Sequence, residues 1–205
     1  DGAFSEGQER ALKLVAIVTS AVAWIWAFIL LGSSHSHPAY FVAGHVMAGI
    51  ACICTSLIAL VATIARQIRN VYSAKERSKW PELVLLMGTI SLVWGLFVIF
   101  ADSSSTNGVI GYIMIGLGLV CYSISSKVIL LAKIWRHEFK LSNRIPLIPI
   151  MTALSCLFLA AFVFELASMH DDYFIPSRVL AGLGAICFTL FSIVSILESG
   201  TSGKG

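Results

Sequence analysis

Charged side chains are scarce in this chain. Asp, Glu, Lys and Arg make up 12% of its 205 residues, and 58% of the residues are hydrophobic. Soluble domains of this length average about 25% charged residues. Too few charges are present to cover the surface of a water-soluble globule. The composition therefore excludes an ordinary soluble protein and indicates a protein embedded in lipid.

The sequence signatures of common enzyme classes are also missing. The chain has no H-E-x-x-H, no G-x-S-x-G, no nucleotide-binding fingerprint and no pair of carboxylates within one apolar run. Its five cysteines form no C-x-x-C pattern and all lie in apolar runs, where cysteine behaves as a small hydrophobic residue. We therefore predict that the protein is not an enzyme and has no catalytic residues, no metal site and no cofactor.

What the sequence does contain is a set of long apolar runs. Each holds about 20 mostly apolar residues, enough to cross about 30 Å of hydrocarbon as an α-helix. Backbone groups in lipid must bond within the segment, so a helix is the expected form. The runs cover residues 12–32, 39–65, 82–101, 108–135, 146–169 and 177–198. The predicted fold is an all-α membrane protein with six transmembrane helices, flanked by an N-terminal cytoplasmic segment (1–11) and a flexible tail (199–205).

Basic residues are distributed unevenly between the two sides of these runs. Twelve of the fourteen Lys and Arg residues fall on one side, in residues 1–13, 66–79, 133–144 and the tail, and only Arg178 falls on the other. Loops rich in Lys and Arg face the cytoplasm. Both termini are therefore predicted to be cytoplasmic. No basic stripe with interleaved aromatic residues is present, so membrane lipids are expected partners and nucleic acid is not.

An internal repeat is visible in the second, fourth and sixth runs. Three segments align without gaps: "GHVMAGIACICTSLIAL" from Gly44, "GYIMIGLGLVCYSISSK" from Gly111 and "SRVLAGLGAICFTLFSI" from Ser177. The alignment matches a glycine, a cysteine and a hydroxyl residue in all three. It predicts three tandem parallel helical hairpins, at about 12–69, 80–136 and 145–198. The matched glycines are expected to be helix-packing positions.

One charged residue, Lys127, lies well inside the fourth run and away from its ends. Lys127 occupies the repeat position that Leu60 and Ile193 hold in the other repeats. A charge near the middle of a membrane helix costs at least about 2.5 kcal/mol. The lysine stem can reach towards the cytoplasmic interface, or the ammonium group can line a polar cavity; we expect it to face protein or a small wet cavity. The candidate polar lining consists of Lys127, Ser123, Ser126, Ser56 and Thr189.

Further polar groups lie towards the predicted outer side. Glu165 and Arg178 belong to one hairpin at similar depth, so an ion pair is expected, either as a structural clamp or as part of a site. His45 lies within the second run and is either a packing residue or a proton-sensitive group. Three more histidines lie in the outer loops, where acid would charge them. The candidate pH-responsive residues are His45, His35, His37 and His170.

Several stretches resemble one known family. They are "YFVAGHVMAGIACICTSLIALVATIARQIRN", "CYSISSKVILLAKIW", "NRIPLIPI" and "YFIPSRVLAGLGAICFTLFSIVSILE", and they are similar to the YhiM-like family of enterobacterial inner-membrane proteins. Members of that family are longer, so the resemblance implies a C-terminal portion or a short form. It also implies a role in tolerance of acid and envelope stress. It implies no site residues.

Two functions are compatible with the sequence. The first is a channel or transporter-like path for a small polar solute or ions, running past Lys127. The alternative is a structural or pH-sensing membrane assembly protein without such a path. Expected partners beyond lipid are a second copy of the chain and further transmembrane spans upstream.

Overall fold

In a computed structural model, every long secondary-structure element of the described residues is an α-helix. The structure describes residues 5–68, 79–135 and 147–202, with side chains over 5–64, 79–129 and 148–190 apart from Glu9. The helices are α1 (Glu6–Gly32), α2 (Pro38–Ile68), α3 (Trp80–Ala101), α4 (Ser105–Trp135), α5 (Leu147–Ala167) and α6 (Phe174–Ser202), with a 3-10 turn at Asp171–Tyr173. Within these described ranges, six helices are long and apolar enough to cross a membrane. The predicted all-α fold with six such helices is confirmed.

The helix ends follow local sequence signals. α1 begins at Glu6, before the apolar run at residue 12, because Ser5 and Gln8 form a capping box. The Gln8 backbone N–H donates to Ser5 Oγ at 3.2 Å, and the Ser5 N–H donates to Gln8 Oε1 at 3.0 Å. Pro81 lies in the first turn of α3. Backbone N–H groups in the first turn have no partner within the helix, so the missing N–H of proline costs no helical hydrogen bond there.

α4 lies at the centre of the bundle. It contacts α2, α3, α5 and α6, whereas α1 contacts α2 alone among the described elements. Within each pair α1–α2, α3–α4 and α5–α6, consecutive helices pack against each other. α3 also contacts α2, and α5 also contacts α4. The central helix is therefore shielded from lipid on most of its surface.

Glycines bring α3 and α4 into close contact. A methyl group added at Gly95 would lie 2.7 Å from the carbonyl oxygen of Gly111, and one added at Gly118 would lie 2.9 Å from that of Gly88. Small residues of this kind let helix backbones approach closely in lipid. Ser91 of α3 adds a hydrogen bond across the contact, because its hydroxyl donates to the Met114 carbonyl at 2.7 Å.

The α3–α4 and α5–α6 connections lie together at one end of the bundle. The Ser105 hydroxyl donates to the Asp172 carboxylate at 2.6 Å. Gly108 packs against the ring of Tyr173, which belongs to the 3-10 turn. The two connections therefore lie at the same end of the helices.

Several sequence predictions concern residues outside this description. Residues 1–4, most of the two basic loops (69–78 and 136–146) and the tail residues 203–205 lie outside the described residues. The cytoplasmic orientation of both termini, which depends on those loops, stays a prediction.

Candidate functional site

A cluster of polar residues in the second half of α4 lies inside the bundle. Ser123, Ser125, Ser126 and Lys127 are all buried, and the Lys127 side chain is only 8% exposed. Protein rather than lipid surrounds this lysine. Within the part of the chain that the structure describes, no carboxylate pairs with it.

Two of the three serines satisfy their hydroxyl groups within α4. The Ser125 hydroxyl donates to the Tyr122 carbonyl at 2.5 Å, and the Ser126 hydroxyl donates to the Ser123 carbonyl at 2.6 Å. The Ser123 hydroxyl is the exception, since its oxygen is buried without a hydrogen-bond partner. A buried polar group without a partner costs about 1–3 kcal/mol in proteins. Among the described residues, the Ser123 oxygen is thus the buried polar atom that the protein leaves without a partner, and Lys127 lies one helical turn away from it.

Ser123 lies at the edge of a group of thiols and hydroxyls from α5 and α6. The Cys187 thiol of α6 lies beside the side chains of Cys156 and Thr152 of α5. Ser123 also lies next to this thiol but outside hydrogen-bonding geometry. The sequence predicts the cysteines to be packing residues, and their position beside Ser123 is not among its predictions. The matched cysteines and hydroxyls of the repeat were the available signal.

The structure brings only part of the predicted lining together. Ser56 of α2 is buried, lies beside the Cys121 thiol of α4 and donates to the Cys52 carbonyl at 2.9 Å. Thr189 of α6 is exposed and donates to the Ala185 carbonyl at 3.1 Å. Thr189 therefore does not join the buried group on α4, because the matched position faces outward in the last hairpin.

The structure does not bring Glu165 and Arg178 together. Among the described residues, the ion pair found is Arg10–Glu6 in the first turns of α1. The Arg178 guanidinium instead donates to the Phe174 carbonyl and to Ser177 Oγ, both at 3.2 Å, and lies 3.3 Å from the centre of the Phe174 ring. The Phe174 ring and carbonyl, one turn earlier in α6, thus serve as local partners of the Arg178 guanidinium. Glu165 remains exposed at the end of α5.

The four candidate histidines occupy different environments. His45 is 5% exposed, its Nδ1 lies 2.7 Å from the Phe41 carbonyl, and its ring meets Trp94 of α3 edge-on at 5.6 Å. The other three, His35, His37 and His170, are exposed on or beside the helix connections. Among the described residues, no three His, Cys, Asp or Glu side chains gather as a metal-binding group.

Comparison with known proteins decides the family. The family described as "Protein of unknown function (DUF2776)" matches residues 1–202 of the chain. The chain belongs to the DUF2776 family.

A curated relative gives this DUF2776 member its cellular context. The chain is 49% identical over 202 residues to the inner membrane protein YhiM of Escherichia coli (strain K12), which covers 98% of this chain. The resemblance inferred from the sequence is confirmed. The chain spans 57% of the length of that relative. Its homology and its six apolar helices fit a multi-pass inner-membrane protein. No solved structure matches the chain.

One feature of this DUF2776 member was missed in the sequence. A groove of about 570 Å³ opens between α3, α4 and α5, lined by Leu85, Tyr122, Ser125, Ile129, Ile148, Met151 and Thr152. The hydroxyls in it already bond to protein. Ser125 and Thr152 donate to carbonyls of their own helices, and Tyr122 lies 2.6 Å from Thr89 Oγ1, which itself donates to the Leu85 carbonyl. The groove therefore presents a largely apolar surface towards the lipid.

Proposed function

We propose that this chain forms part of an inner-membrane channel or transporter for a small polar solute or ion, and that this activity contributes to tolerance of acid and envelope stress. The helices would be arranged as three tandem hairpins, with both ends in the cytoplasm. The path would run along α4, past Ser123 and Lys127.

The burial of Lys127 carries this proposal. An ionised side chain inside a membrane protein is a functional candidate by default, because its insertion is unfavourable and needs compensation. Lys127 is 8% exposed and has no carboxylate partner among the described residues. The unpartnered hydroxyl of Ser123 lies one turn away on the same helix face. These two groups would supply polar contacts to a passing solute.

The sign of the charge favours an anion as the solute. A fixed positive charge in a narrow path attracts anions and raises the electrostatic barrier for cations. Chloride is therefore the first probe, with potassium and protons measured separately in the same vesicles.

A flux assay in liposomes tests the role of the lysine. We expect Lys127→Met to lower chloride flux by at least about tenfold, which corresponds to about 1.4 kcal/mol of lost interaction. Lys127→Arg, which keeps the charge, should retain part of the flux. Lys79→Met is the matched control, because Lys79 is exposed before α3 and the same charge is removed outside the bundle. Equal flux in wild type and Lys127→Met would remove the lysine from the mechanism.

The physiological part of the proposal has its own test. Bacteria that express Lys127→Met in place of the wild-type chain, at equal membrane level, should survive low pH less well. Unchanged survival alongside lost flux would separate the transport path from the stress role.

Topology supports the hairpin arrangement. The joined α3–α4 and α5–α6 connections fit loops on one side of the membrane, and the uneven distribution of Lys and Arg favours the outer side for them. A tag inserted between Asp102 and Ser104, in the connection from α3 to α4, should be labelled by a membrane-impermeant reagent added outside the inner membrane. Labelling only from the cytoplasmic side would contradict the orientation.

A second candidate is a pH-responsive assembly protein without a path. The position of His45 favours it, because protonation would place a charge against Phe41 and Trp94 in a buried contact between α2 and α3. In this case the oligomer would change with acid, and joint replacement of His35, His37, His45 and His170 would remove the response. A response that survives this replacement would exclude the second candidate.

A further inference from the structure

The even-numbered helices carry matched segments, and their contacts also match. In the gapless alignment from Gly44, Gly111 and Ser177, one glycine recurs in every segment. These glycines are Gly49 of α2, Gly116 of α4 and Gly182 of α6.

The first glycine packs on the next even helix. A methyl group added at Gly49 would meet the Leu117 side chain of α4 and would lie 3.2 Å from the sulfur of Met114. No larger residue fits at Gly49 unless the Leu117 side chain or α4 itself shifts. The α2–α4 contact thus consists of a glycine face on α2 and a pair of large side chains on α4.

The second glycine repeats this contact one hairpin later. A methyl group added at Gly116 would lie 2.7 Å from side-chain carbons of both Leu180 and Leu183 of α6. In the alignment, Leu180 matches Met114 and Leu183 matches Leu117. The two contacts therefore use the same glycine position and the same pair of receiving positions.

The third glycine has nothing packed on it. No atom lies within 4 Å of a methyl group added at Gly182. The residues around it on the helix are exposed too, although most of their counterparts in α2 and α4 are buried. This face of α6, which we call the glycine face, consists of Ala181, Gly182, Ala185 and Thr189.

The composition of the glycine face suits another helix better than lipid. Lipid-embedded helices associate through small residues, which let backbones approach closely. Exposed positions on α1 and α5 carry large side chains, such as Phe28 and Phe158. The glycine face itself consists of small residues, and the exposed Arg178 and Ile186 lie one helical turn on either side of Gly182.

The side of the bundle away from α6, at α2, offers the residues that would receive the glycine face. Met47 and Ile50 of α2 hold the positions that match Met114 and Leu117 of α4. Ile50 is 38% exposed, and Met47 is partly buried. One chain thus carries an uncovered glycine face at α6 and an accessible receiving pair at α2.

We propose that α6 of one copy packs through its glycine face on Met47 and Ile50 of α2 of a second copy, which continues the helix stack between chains. The inference rests on the tandem repeat proposed above and not on the transport path. The contact is head-to-tail, so it produces a ring or an open array rather than a two-fold dimer.

Cysteine crosslinking in membranes tests this geometry directly. Gly182→Cys and Ile50→Cys place thiols on the two sides of the contact. All variants carry Cys54→Ala, because Cys54 is partly exposed and lies one helical turn from Ile50. Because the contact is head-to-tail, neither single variant should crosslink to itself, a mixture of the two should give a dimer, and the double variant should give a ladder. The Cys54→Ala chain, which keeps the other four cysteines, sets the background. Pairing Gly182→Cys with Val93→Cys, which is exposed on α3, is the matched control. Crosslinking at background level, or equal yields for the two pairs, would overturn the proposal.

A second variant tests the contact without crosslinks. Gly182→Leu should leave the isolated chain folded, because nothing lies near the new side chain. It should weaken self-association in detergent by about tenfold or more, as measured by native mass spectrometry over a concentration series. Gly182→Ala, which still permits close approach, should assemble like wild type. A wild-type chain that stays monomeric throughout, or a leucine variant that assembles normally, would overturn the proposal. Neither assay measures flux, so its failure is distinguishable from failure of the transport path.

Discussion

α1 and α4 are both long apolar helices, yet they sit in opposite environments. α1 contacts α2 alone among the described elements, and large aliphatic and aromatic side chains cover its exposed faces. α4 contacts four helices and carries glycines, serines and Lys127, nearly all of them buried. Lipid favours large apolar side chains, whereas a helix inside a bundle needs small residues for close packing and can shelter polar ones. Composition within an apolar run therefore indicates how much protein surrounds it.

The largest effect is expected where α4 and α3 nearly touch. Gly111→Leu would place its first carbon 2.7 Å from the Gly95 carbonyl oxygen, and a backbone group cannot move aside as a side chain can. We expect a loss of about 3 kcal/mol or more, at or beyond the upper end of the usual overpacking penalty. The measurement is thermal unfolding in detergent.

The control for this substitution comes from α1. Gly32→Leu adds the same side chain at the end of α1, where no atom lies within 4 Å of a new methyl group. It should leave the melting temperature nearly unchanged. Similar losses for the two variants would mean that the contrast between central and peripheral helices has no energetic basis.

The sequence was sufficient to predict the six helices, because each apolar run is long enough to span the bilayer and nothing shorter competes with it. It also predicted that Lys127 faces protein or a small wet cavity, since an unshielded charge in lipid is strongly unfavourable, and Lys127 is 8% exposed in the structure. Both results depend on the solvent rather than on packing detail.

The remaining site features depend on neighbours that a single helix does not specify. Thr189 matches Ser56 and Ser123 in the repeat but is exposed, because the last hairpin has no following helix in the described chain. Arg178 lies over Phe174 instead of pairing with Glu165, which is decided by the rotamer of a long side chain. The missing partner of the Ser123 hydroxyl depends on its exact position beside Cys187.

A smaller effect is expected for a hydrogen bond between helices. Ser91→Ala removes the bond from α3 to the Met114 carbonyl of α4 and should cost about 0.6 kcal/mol, with about 1.7 kcal/mol as the upper end of measured values. Thr19→Ala is the matched change on α1, because Thr19 is exposed and bonds only to its own helix at the Val15 carbonyl. Its unfolding free energy should be the same as wild type within error. A larger loss for Thr19→Ala would reverse the comparison.

The smallest effect has the opposite sign. Ser123→Ala removes a buried hydroxyl that has no partner, so the folded state should be unchanged or more stable by up to about 1 kcal/mol. Ser126→Ala, three residues further along α4, removes a bonded hydroxyl and should not stabilise the protein. If Ser123 contributes to a transport path, Ser123→Ala should be more stable than wild type and carry less chloride. The reason is that residues which destabilise the folded state are retained where the function needs them. A destabilised Ser123→Ala would instead mean that the hydroxyl is satisfied by water in the native protein, and α4 would then differ from α1 in packing alone.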